Sequence, residues 1–348
     1  MKMKYLAMTC AIAATMGAMT GVQAQTKTIY VGMNGGTMEK NYTASIFPDF
    51  EKANNVKVVV VPGTSSDIIA KMQAQKDKPQ MHVAFLDDGI MYRAINMSLC
   101  EKVKDAAVLK DVYPFARLAN DQAVAIEMGV LGIGYNKKLF AEKGWPAPTS
   151  WMDFADPKYK QKVVFQSISA STFGLYGFMM FNRLVGGTDK NVDPGFKKWG
   201  SSIGPNVVEY LSSSAKISEM VQTNEAAIFP LTVTGIANLK DKGIPAEFVT
   251  PKEGGVLLMT GACPIKGNSE PELSQKLLEY LLTPAVQAKS MALANSIPVN
   301  RNVPLSEAAQ AKLGKSEVLT KNLNTVDWDV VNEKRSEWNN RWNRMIEQ

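Results

Sequence analysis

The sequence predicts an α/β fold of two lobes, each with a mostly parallel sheet flanked by helices. Predicted strands, such as the β-branched run 56–61 and the run 81–86, alternate with helical stretches at the spacing typical of β–α units. Two extended runs, 124–135 and 256–265, are longer than an ordinary strand of about 5–6 residues, and we expect the chain to cross between the lobes there. A chain of 348 residues is also long enough for two domains.

The first 24 residues predict a signal peptide that is cleaved near Ala24. Two lysines precede an apolar stretch at 6–19, and Val22-Gln23-Ala24 is a small-x-small cleavage pattern. The stretch is shorter than the roughly 20 strongly apolar residues that span a membrane. We therefore expect a mature periplasmic chain that is not stably inserted in a membrane. Cleavage removes two lysines and no acids, so the formal charge falls from +6 to +4.

In the first half of the mature chain, each predicted strand ends in a polar or glycine-rich loop before a helix. The strands are 28–32, 56–61 and 81–86, and the loops are Asn34–Thr37, Thr64–Asp67 and Asp87–Asp88. The second loop offers N-cap residues to a helix at 68–75. In open α/β sheets, ligands bind beyond the carboxyl ends of the strands, where these loops lie.

The second half repeats the alternation of strands and helices and ends in an amphipathic helix. The predicted strands are 124–135, 162–166, 225–230 and 256–265, and the predicted helices are 138–143, 173–185 and 327–346. In the last helix, Val331, Trp338, Trp342 and Met345 share one face. We interpret this apolar stripe as core, and not as a binding site.

Eight segments, in this order and spacing, resemble the extracellular solute-binding proteins of ATP-binding-cassette (ABC) importers, in the branch that contains spermidine/putrescine-binding proteins. The segments are IYVGMNGGTMEK (29–40), PDFEKANNVKVVVVPGTSSDIIAKMQAQ (48–75), VAFLDDG (83–89), VLGIGYNKKLF (130–140), NEAAIFP (224–230), PKEGGVLLMTGACPI (251–265), LLEYLLTPAVQA (277–288) and IPVNRNV (297–303). The resemblance implies a type II periplasmic-binding-protein-like fold whose lobes are joined by two crossing strands. We expect lobe one at 26–127 plus 262–300, lobe two at 130–258 plus 304–348, and the ligand cleft between them.

The resemblance also implies a function: a monomeric substrate-binding component that delivers a small polar organic solute to a membrane permease, without cofactor or catalysis. A ligand-binding sensor and a secreted hydrolase are the alternatives. The sequence has one histidine, which removes the usual general base of most hydrolases. The pattern Gly314-Lys315-Ser316 lacks the first glycine of a phosphate loop, because Ala309 stands there. No clustered basic face indicates nucleic-acid binding.

The residues in the predicted cleft depart from the polyamine-binding pattern. The loop after Phe165 carries Ser167, Ser169, Ser171 and Thr172 where the polyamine-binding relatives place acids. A tryptophan and an aspartate of that pattern correspond here to Leu258 and Thr260. Polyamine binding therefore remains an alternative, and another class of ligand is favoured.

Hydroxyl and glycine residues at predicted helix N-termini favour an anionic group on the ligand, because unpaired N–H groups and the helix dipole face it. The candidates are Asn34, Gly35, Gly36, Thr37, Ser65, Ser66, Ser169, Ser171 and Thr172. Thr232, Thr234 and Thr260 are further candidates from the family pattern. The same residue types are common in ordinary caps and turns, so a purely structural role is the alternative.

Asp87 and Asp88 follow a predicted strand and are candidates to accept a ligand ammonium group. The alternative is a helix N-cap beside a solvated acid. Together with the hydroxyl-rich loops, the two acids predict a zwitterionic ligand such as an amino acid, a γ-amino acid or an aminoalkylphosphonate.

The sequence predicts neither a metal site nor a disulfide. The paired tyrosines of ferric-ion receptors are missing, and His82 lies inside a predicted strand, where packing is its expected role. No Cys/His spacing matches a zinc site. Cys100 and Cys263 are expected to be buried thiols, although the periplasm would also permit a disulfide.

Overall fold

The computed structural model describes residues 26–212, 214–314, 319 and 322–347, so the predicted signal peptide lies outside the described residues. Within these ranges, no helix is both long enough and apolar enough to cross a membrane. The described chain forms the α/β architecture that the sequence predicts, with helices on the faces of a mixed sheet.

The first lobe is built on three parallel strands that alternate along the chain with helices. The helices cover the buried apolar side chains of the strands. Its strands are β1 (Lys27–Met33), β2 (Val56–Pro62) and β3 (Val83–Asp87). Its first helices are α1 (Thr37–Asn41), a π-helical turn (Tyr42–Ile46), α2 (Phe47–Asn54), α3 (Ser65–Ala74) and α4 (Asp88–Asn96). Thr64 caps α3 through a capping box with Asp67, as the sequence predicts.

The second lobe repeats this arrangement around three further parallel strands, at 163–166, 207–211 and 228–232. The elements from the middle of the chain are β4 (Arg117–Leu118), β5 (Ala123–Asn136), α5 (Lys137–Lys143), β6 (Val163–Gln166), α6 (Thr172–Leu184), α7 (Asp193–Trp199), β7 (Val207–Leu211), α8 (Ile217–Gln222), β8 (Ile228–Thr232), α9 (Val233–Asp241) and β9 (Ala246–Val249). The chain then passes through β10 (Val256–Pro264) to α10 (Pro271–Leu281) and α11 (Pro284–Ala294), which pack on the core of the first lobe, before α12 (Glu307–Leu313) and α13 (Trp328–Met345). Short 3-10 helices lie at Ala107–Asp111, Pro114–Ala116, Trp151–Ala155, Pro157–Tyr159, Gly204–Asn206 and Ser214–Lys216.

Two antiparallel strands, β5 and β10, join the lobes, as their unusual length predicts. They pair with each other, and β10 continues onto β3 while β5 continues onto β8 and β9. The order across the sheet is therefore β2-β1-β3-β10-β5-β8-β6-β7. Between Thr260 and Gly261 of β10 the register with β5 shifts, since Ile126 has no partner between Glu127 and Ala125. Such a bulge re-aims the neighbouring side chains.

Separate hydrophobic cores lie on either side of the crossing strands. The first holds the apolar side chains of β1–β3 and the start of β5, and the second those of β6, α6 and α13. A smaller third core lies around Phe229 and Ile236. The lobe boundaries inferred from the sequence remain a prediction.

The structure confirms a core position for three of the four residues in the apolar stripe predicted on the final helix. Val331, Trp338 and Trp342 are buried in the second core, where the Trp342 ring centroid lies 5.0 Å from that of Trp199. Met345 is 52% exposed, so its assignment to the core is wrong. It occupies the last residue of α13, where the helix has passed the edge of the core.

The expectation of two free thiols is wrong, because Cys100 and Cys263 form a disulfide. Cys100 lies beside β10 through a β-bridge to Ile265, which brings the two Cα atoms to 5.7 Å although 163 residues separate them in sequence. A bridge of this span is not evident from spacing alone.

Loss of this disulfide is expected to lower the free energy of unfolding by about 2–4 kcal/mol, because the bridge restricts the unfolded chain. Urea unfolding of the mature chain with and without dithiothreitol measures the difference. The double variant Cys100→Ser/Cys263→Ser should match the reduced protein and show no response to the reductant. Equal unfolding midpoints in both conditions would contradict the prediction.

Candidate functional site

A cavity of about 540 Å³ lies between the lobes, at the carboxyl ends of β3 and β6 and beside the crossing strands. This volume lies within the range of pockets that hold small molecules. The described residues that line it are Asp87, Asp88, Glu127, Met128, Gly129, Gln166, Ala170, Ser171, Thr172, Phe173, Ser212, Ser214, Thr232, Thr234, Leu258, Met259, Thr260, Ala294 and Ser296.

The structure brings half of the sequence-predicted site residues together in this cavity. These residues are Asp87, Asp88, Ser171, Thr172, Thr232, Thr234 and Thr260. They come from three strand–helix junctions and from one crossing strand. The carboxyl ends of strands from both lobes therefore lie at the cavity.

The other predicted residues lie outside the lining of the cavity. Ser65 is buried behind it, where its hydroxyl donates to Asp87 Oδ2 at 2.9 Å and accepts from the Asp87 N–H at 3.0 Å. Ser66 is exposed on α3, and Ser169 bonds to the hydroxyl of Ser167 at 2.7 Å.

The loop Asn34–Thr37 borders a different, smaller space. Gly36 adopts φ 74° at the N-cap of α1, a conformation that favours glycine. Thr37 lines a side cavity of about 90 Å³, and Asn34, Gly35 and Gly36 line neither cavity. The side cavity shares Glu127 and Ala294 with the main one.

Three residues on adjacent strands form what we call the acidic row: Asp87, Thr260 and Glu127. Thr260 of β10 is in register with Asp87 of β3 on one side and with Glu127 of β5 on the other. Side chains directly opposite each other point to the same face of a sheet, and neighbouring strands are about 4.8 Å apart. The two carboxylates therefore flank one hydroxyl, and Thr260 Oγ1 donates to Glu127 Oε1 at 3.3 Å.

Glu127 lines the cavity but is not among the candidate residues predicted from the sequence. Burial raises its pKa to about 6, the bond from Thr260 lowers it, and the charge of nearby Asp87 raises it. Its signal in the sequence is a carboxylate inside the otherwise apolar run Ala123–Met128. An acid in such a run is expensive to bury unless a partner compensates it.

Asp88 lies beside the acidic row but is engaged by protein groups. It is 3% exposed, Tyr176 of α6 donates to Oδ2 at 2.9 Å, and the Gly89 N–H donates to Oδ1 at 2.9 Å. Burial raises the pKa of Asp88 to about 7, against the lowering effect of these hydrogen bonds. Since α4 belongs to the first lobe and α6 to the second, Asp88 and Tyr176 connect the lobes at the margin of the cavity.

A second connection lies on α9 and a third on α13. The hydroxyl of Thr234 donates to the Asn295 carbonyl oxygen at 2.9 Å, and Asn295 follows α11 of the first lobe. Asn332 of α13 donates to the Gly89 carbonyl oxygen at 3.1 Å. A Cβ atom on Gly89 would lie 2.4 Å from the ring of Trp328, so the absence of a side chain there allows α13 to approach α4.

The wall opposite the acidic row is formed by the N-termini of α6 and α9. Ser171 caps α6 by accepting from the Phe173 N–H, and Thr232 caps α9 by accepting from the Gly235 N–H. Thr172 and Thr234 follow these caps and line the cavity. Two helix dipoles and a set of hydroxyl groups therefore favour negative charge on this side.

Among the described residues that line the cavity, none is lysine, arginine or histidine. His82 lies elsewhere: its Nδ1 accepts from the Tyr30 N–H at 2.9 Å, and its Nε2 is 3.1 Å from Ser269 Oγ. In the described part of the chain, no group of three or more histidine, cysteine or acidic residues is arranged to hold a metal ion.

Comparisons with known proteins agree with this architecture. A family model described as bacterial extracellular solute-binding protein matches residues 45–315. A relative from Salmonella typhimurium, provisionally named a 2-aminoethylphosphonate-binding periplasmic protein, is 22% identical over 320 residues, which are 86% of each chain.

Solved structures show the same two-lobe fold. A crystal structure of an ABC transporter from Clostridium perfringens superposes with a TM-score of 0.80 at 22% identity, covering 91% of this chain and 99% of the other. A structure named the Atu4243-GABA receptor gives a TM-score of 0.74 at 19% identity, covering 91% of this chain and 96% of the other. Because the family model spans most of the sequence, the chain belongs to the bacterial extracellular solute-binding proteins, with the type II fold of periplasmic binding proteins.

Proposed function

We propose that this chain is the periplasmic substrate-binding component of an ABC importer and that it captures a small zwitterion, with an amine at one end and a carboxylate or phosphonate at the other. The observation that carries the proposal is the polarity of the cavity. Acidic residues line the side of the first lobe, and hydroxyl groups with two helix N-termini line the side of the second.

The acidic row supplies the site for the amine. Asp87 and Glu127 flank the Thr260 hydroxyl, so an ammonium group placed over Thr260 can donate to both carboxylates. Hydrogen bonds between ionised partners are the strong ones, and the low dielectric of a closed cleft strengthens them further. Asp88 acts as a positioning residue in this proposal, because Tyr176 and Gly89 already use its oxygens.

The opposite wall supplies the site for the anion. The first N–H groups of α6 and α9 and the hydroxyls of Thr172, Ser212 and Ser214 can surround a carboxylate or phosphonate. The names of two similar proteins support this assignment, because 2-aminoethylphosphonate and GABA each combine an amine with an acid. The ligand class is therefore an aminoalkylphosphonate, a γ-amino acid or a related amino acid.

A ligand that contacts both walls favours the closed arrangement of the lobes by its differential affinity for that state. In our proposal the chain works as a monomer, performs no chemistry on its ligand and passes it to the membrane permease. The contacts Asp88–Tyr176 and Thr234–Asn295 lie where closure brings the lobes together.

A polyamine is the second candidate, because the acidic row would also hold one of its ammonium groups. A diamine needs acceptors for its other ammonium group as well. The described residues on the wall formed by α6 and α9 include no aspartate or glutamate, so this wall would leave a second positive charge facing two helix N-termini.

A thermal-shift panel on the mature chain, refolded to remove any bound solute, tests the proposal. The panel contains 2-aminoethylphosphonate, 4-aminobutyrate, glycine, the amide of 4-aminobutyrate, and putrescine. A ligand at 100 times its Kd adds about 2.7 kcal/mol to the free energy of unfolding, which gives a clear rise in Tm. We expect at least one amino acid or aminophosphonate to raise Tm, and the amide of 4-aminobutyrate to raise it much less than 4-aminobutyrate does. A response to putrescine alone would contradict the proposal.

A further inference from the structure

Gln166 lines the cavity and carries a buried hydrogen-bond donor that has no partner among the described residues. It is the last residue of β6, is 1% exposed and lies among the lining residues. Its Oε1 accepts from the Ser171 hydroxyl at 2.6 Å, whereas its Nε2 is buried without a hydrogen-bond partner among the described residues. Buried polar groups in native proteins almost always have partners, so an unpaired one beside a cavity needs a partner that a bound group can supply.

In the structure, the Gln166 amide turns its carbonyl oxygen toward Ser171. The Ser171 hydroxyl oxygen accepts from the Phe173 N–H at 3.1 Å, and its own proton goes to the Gln166 carbonyl oxygen. The amide NH₂ is therefore the end left unpaired. Because Ser171 is the N-cap of the 13-residue helix α6, this NH₂ lies at a helix N-terminus where the dipole favours an acceptor with negative charge.

We propose that Gln166 Nε2 is a specificity-determining donor for the anionic group of the ligand, and that it makes the site select amino acids or aminophosphonates over diamines. This inference rests on the proposed function and names the residue that decides the class of ligand. The donor cannot bond to an ammonium group, which also donates only. Together with the acidic row on the other wall, it completes a cavity that recognises the two ends of a zwitterion separately.

The test is isothermal titration calorimetry of the wild type and the variant Gln166→Glu with 2-aminoethylphosphonate, 4-aminobutyrate and putrescine. A glutamate has the same size and still accepts from Ser171, but it replaces the NH₂ donor by an anion. We expect the affinity for the two acids to fall at least 100-fold and the affinity for putrescine to rise, because both walls then carry an acid. General damage to the fold would lower all three affinities.

Two further variants sharpen the result. Gln166→Met removes the donor without adding charge. It should lower the affinity for the acids roughly 10- to 100-fold, as expected for a lost hydrogen bond to a charged group, and should not raise the affinity for putrescine. Gln80→Glu makes the same chemical change at an exposed glutamine and should leave every affinity unchanged.

Wild-type affinity for the acids that persists in Gln166→Glu would overturn this inference and leave the proposed function intact. A wild type that binds no amino acid or aminophosphonate of the panel would overturn the proposed function and this inference together. The two failures are therefore distinguishable in one set of titrations.

Discussion

The double variant Asp87→Asn/Glu127→Gln is expected to bind 2-aminoethylphosphonate or 4-aminobutyrate about 10²- to 10⁴-fold more weakly than the wild type. Each carboxylate loses a charge-assisted hydrogen bond to the ammonium group, worth about 1.5–3 kcal/mol. Both acids flank Thr260 in register, so the two losses fall on the same ligand group. Isothermal titration calorimetry at pH 8, where the Glu127 carboxyl with its pKa of about 6 is ionised, measures the effect.

Folding should survive this double substitution. Burial raises the pKa of Glu127, which means that its charged form is costly in the folded protein, and a neutral glutamine avoids that cost. Urea unfolding should therefore show no loss of stability. The matched control Asp77→Asn/Glu101→Gln removes two exposed acids and should bind as the wild type does. A loss of less than tenfold in the cavity variant would contradict the assignment of the amine site.

Asp88→Asn is expected to change how stability depends on pH. The folded-state pKa of Asp88 is about 7, raised by burial from 3.8, so the folded protein binds the proton more tightly than the unfolded chain does. The contribution of Asp88 to the free energy of unfolding therefore falls as the pH rises from about 4 to about 7. A shift of this size corresponds to a contribution on the order of 4 kcal/mol, at about 1.4 kcal/mol for each pKa unit.

Urea unfolding at pH 4 and pH 8 measures this contribution. Asp88→Asn keeps an acceptor for the Gly89 N–H and should gain stability relative to the wild type at pH 8 but not at pH 4. Asp67 is the control, because its bonds to Thr64 lower its pKa. Its contribution is present at neutral pH and lost as the pH falls, so Asp67→Asn should lose stability at pH 8. If the free energy of unfolding of Asp88→Asn differed from that of the wild type by the same amount at both pH values, Asp88 would be ionised at little cost.

The order of strands and helices is predictable from the sequence because each signal is local. Thr64 and Asp67 form the capping box that their spacing predicts, and the unusual length of two extended runs identifies the crossing strands β5 and β10. The buried stripe of α13 follows from helical periodicity through Trp342. The buried stripe ends before Met345. The sequence does not predict this end, because periodicity does not show where a helix leaves the core.

The candidate site is less predictable because it depends on pairing between distant segments. The sequence identifies Asp87 and Thr260, but only the register of three strands places Glu127 beside them. The disulfide between Cys100 and Cys263 likewise depends on a β-bridge over a long sequence separation. Ser65 shows a different limit of prediction from sequence. A hydroxyl that follows a strand can line the cavity, or it can bond to a neighbouring carboxylate, as Ser65 does to Asp87.

The unpaired amide of Gln166 could not be found from the sequence at all. A glutamine at the end of a buried strand is compatible with many hydrogen-bond arrangements, and only the structure shows that this one turns its carbonyl oxygen to Ser171. A buried polar group is informative once its partners have been counted.

A crystal structure of the mature chain with 2-aminoethylphosphonate, or with whichever acid of the panel binds most tightly, is the decisive test of the proposed site. We expect one ligand molecule between the lobes, with its nitrogen about 3 Å from the carboxylates of Asp87 and Glu127 and its acid within hydrogen-bond distance of Gln166 Nε2. A ligand in the reverse orientation, or one held outside this cavity, would contradict it.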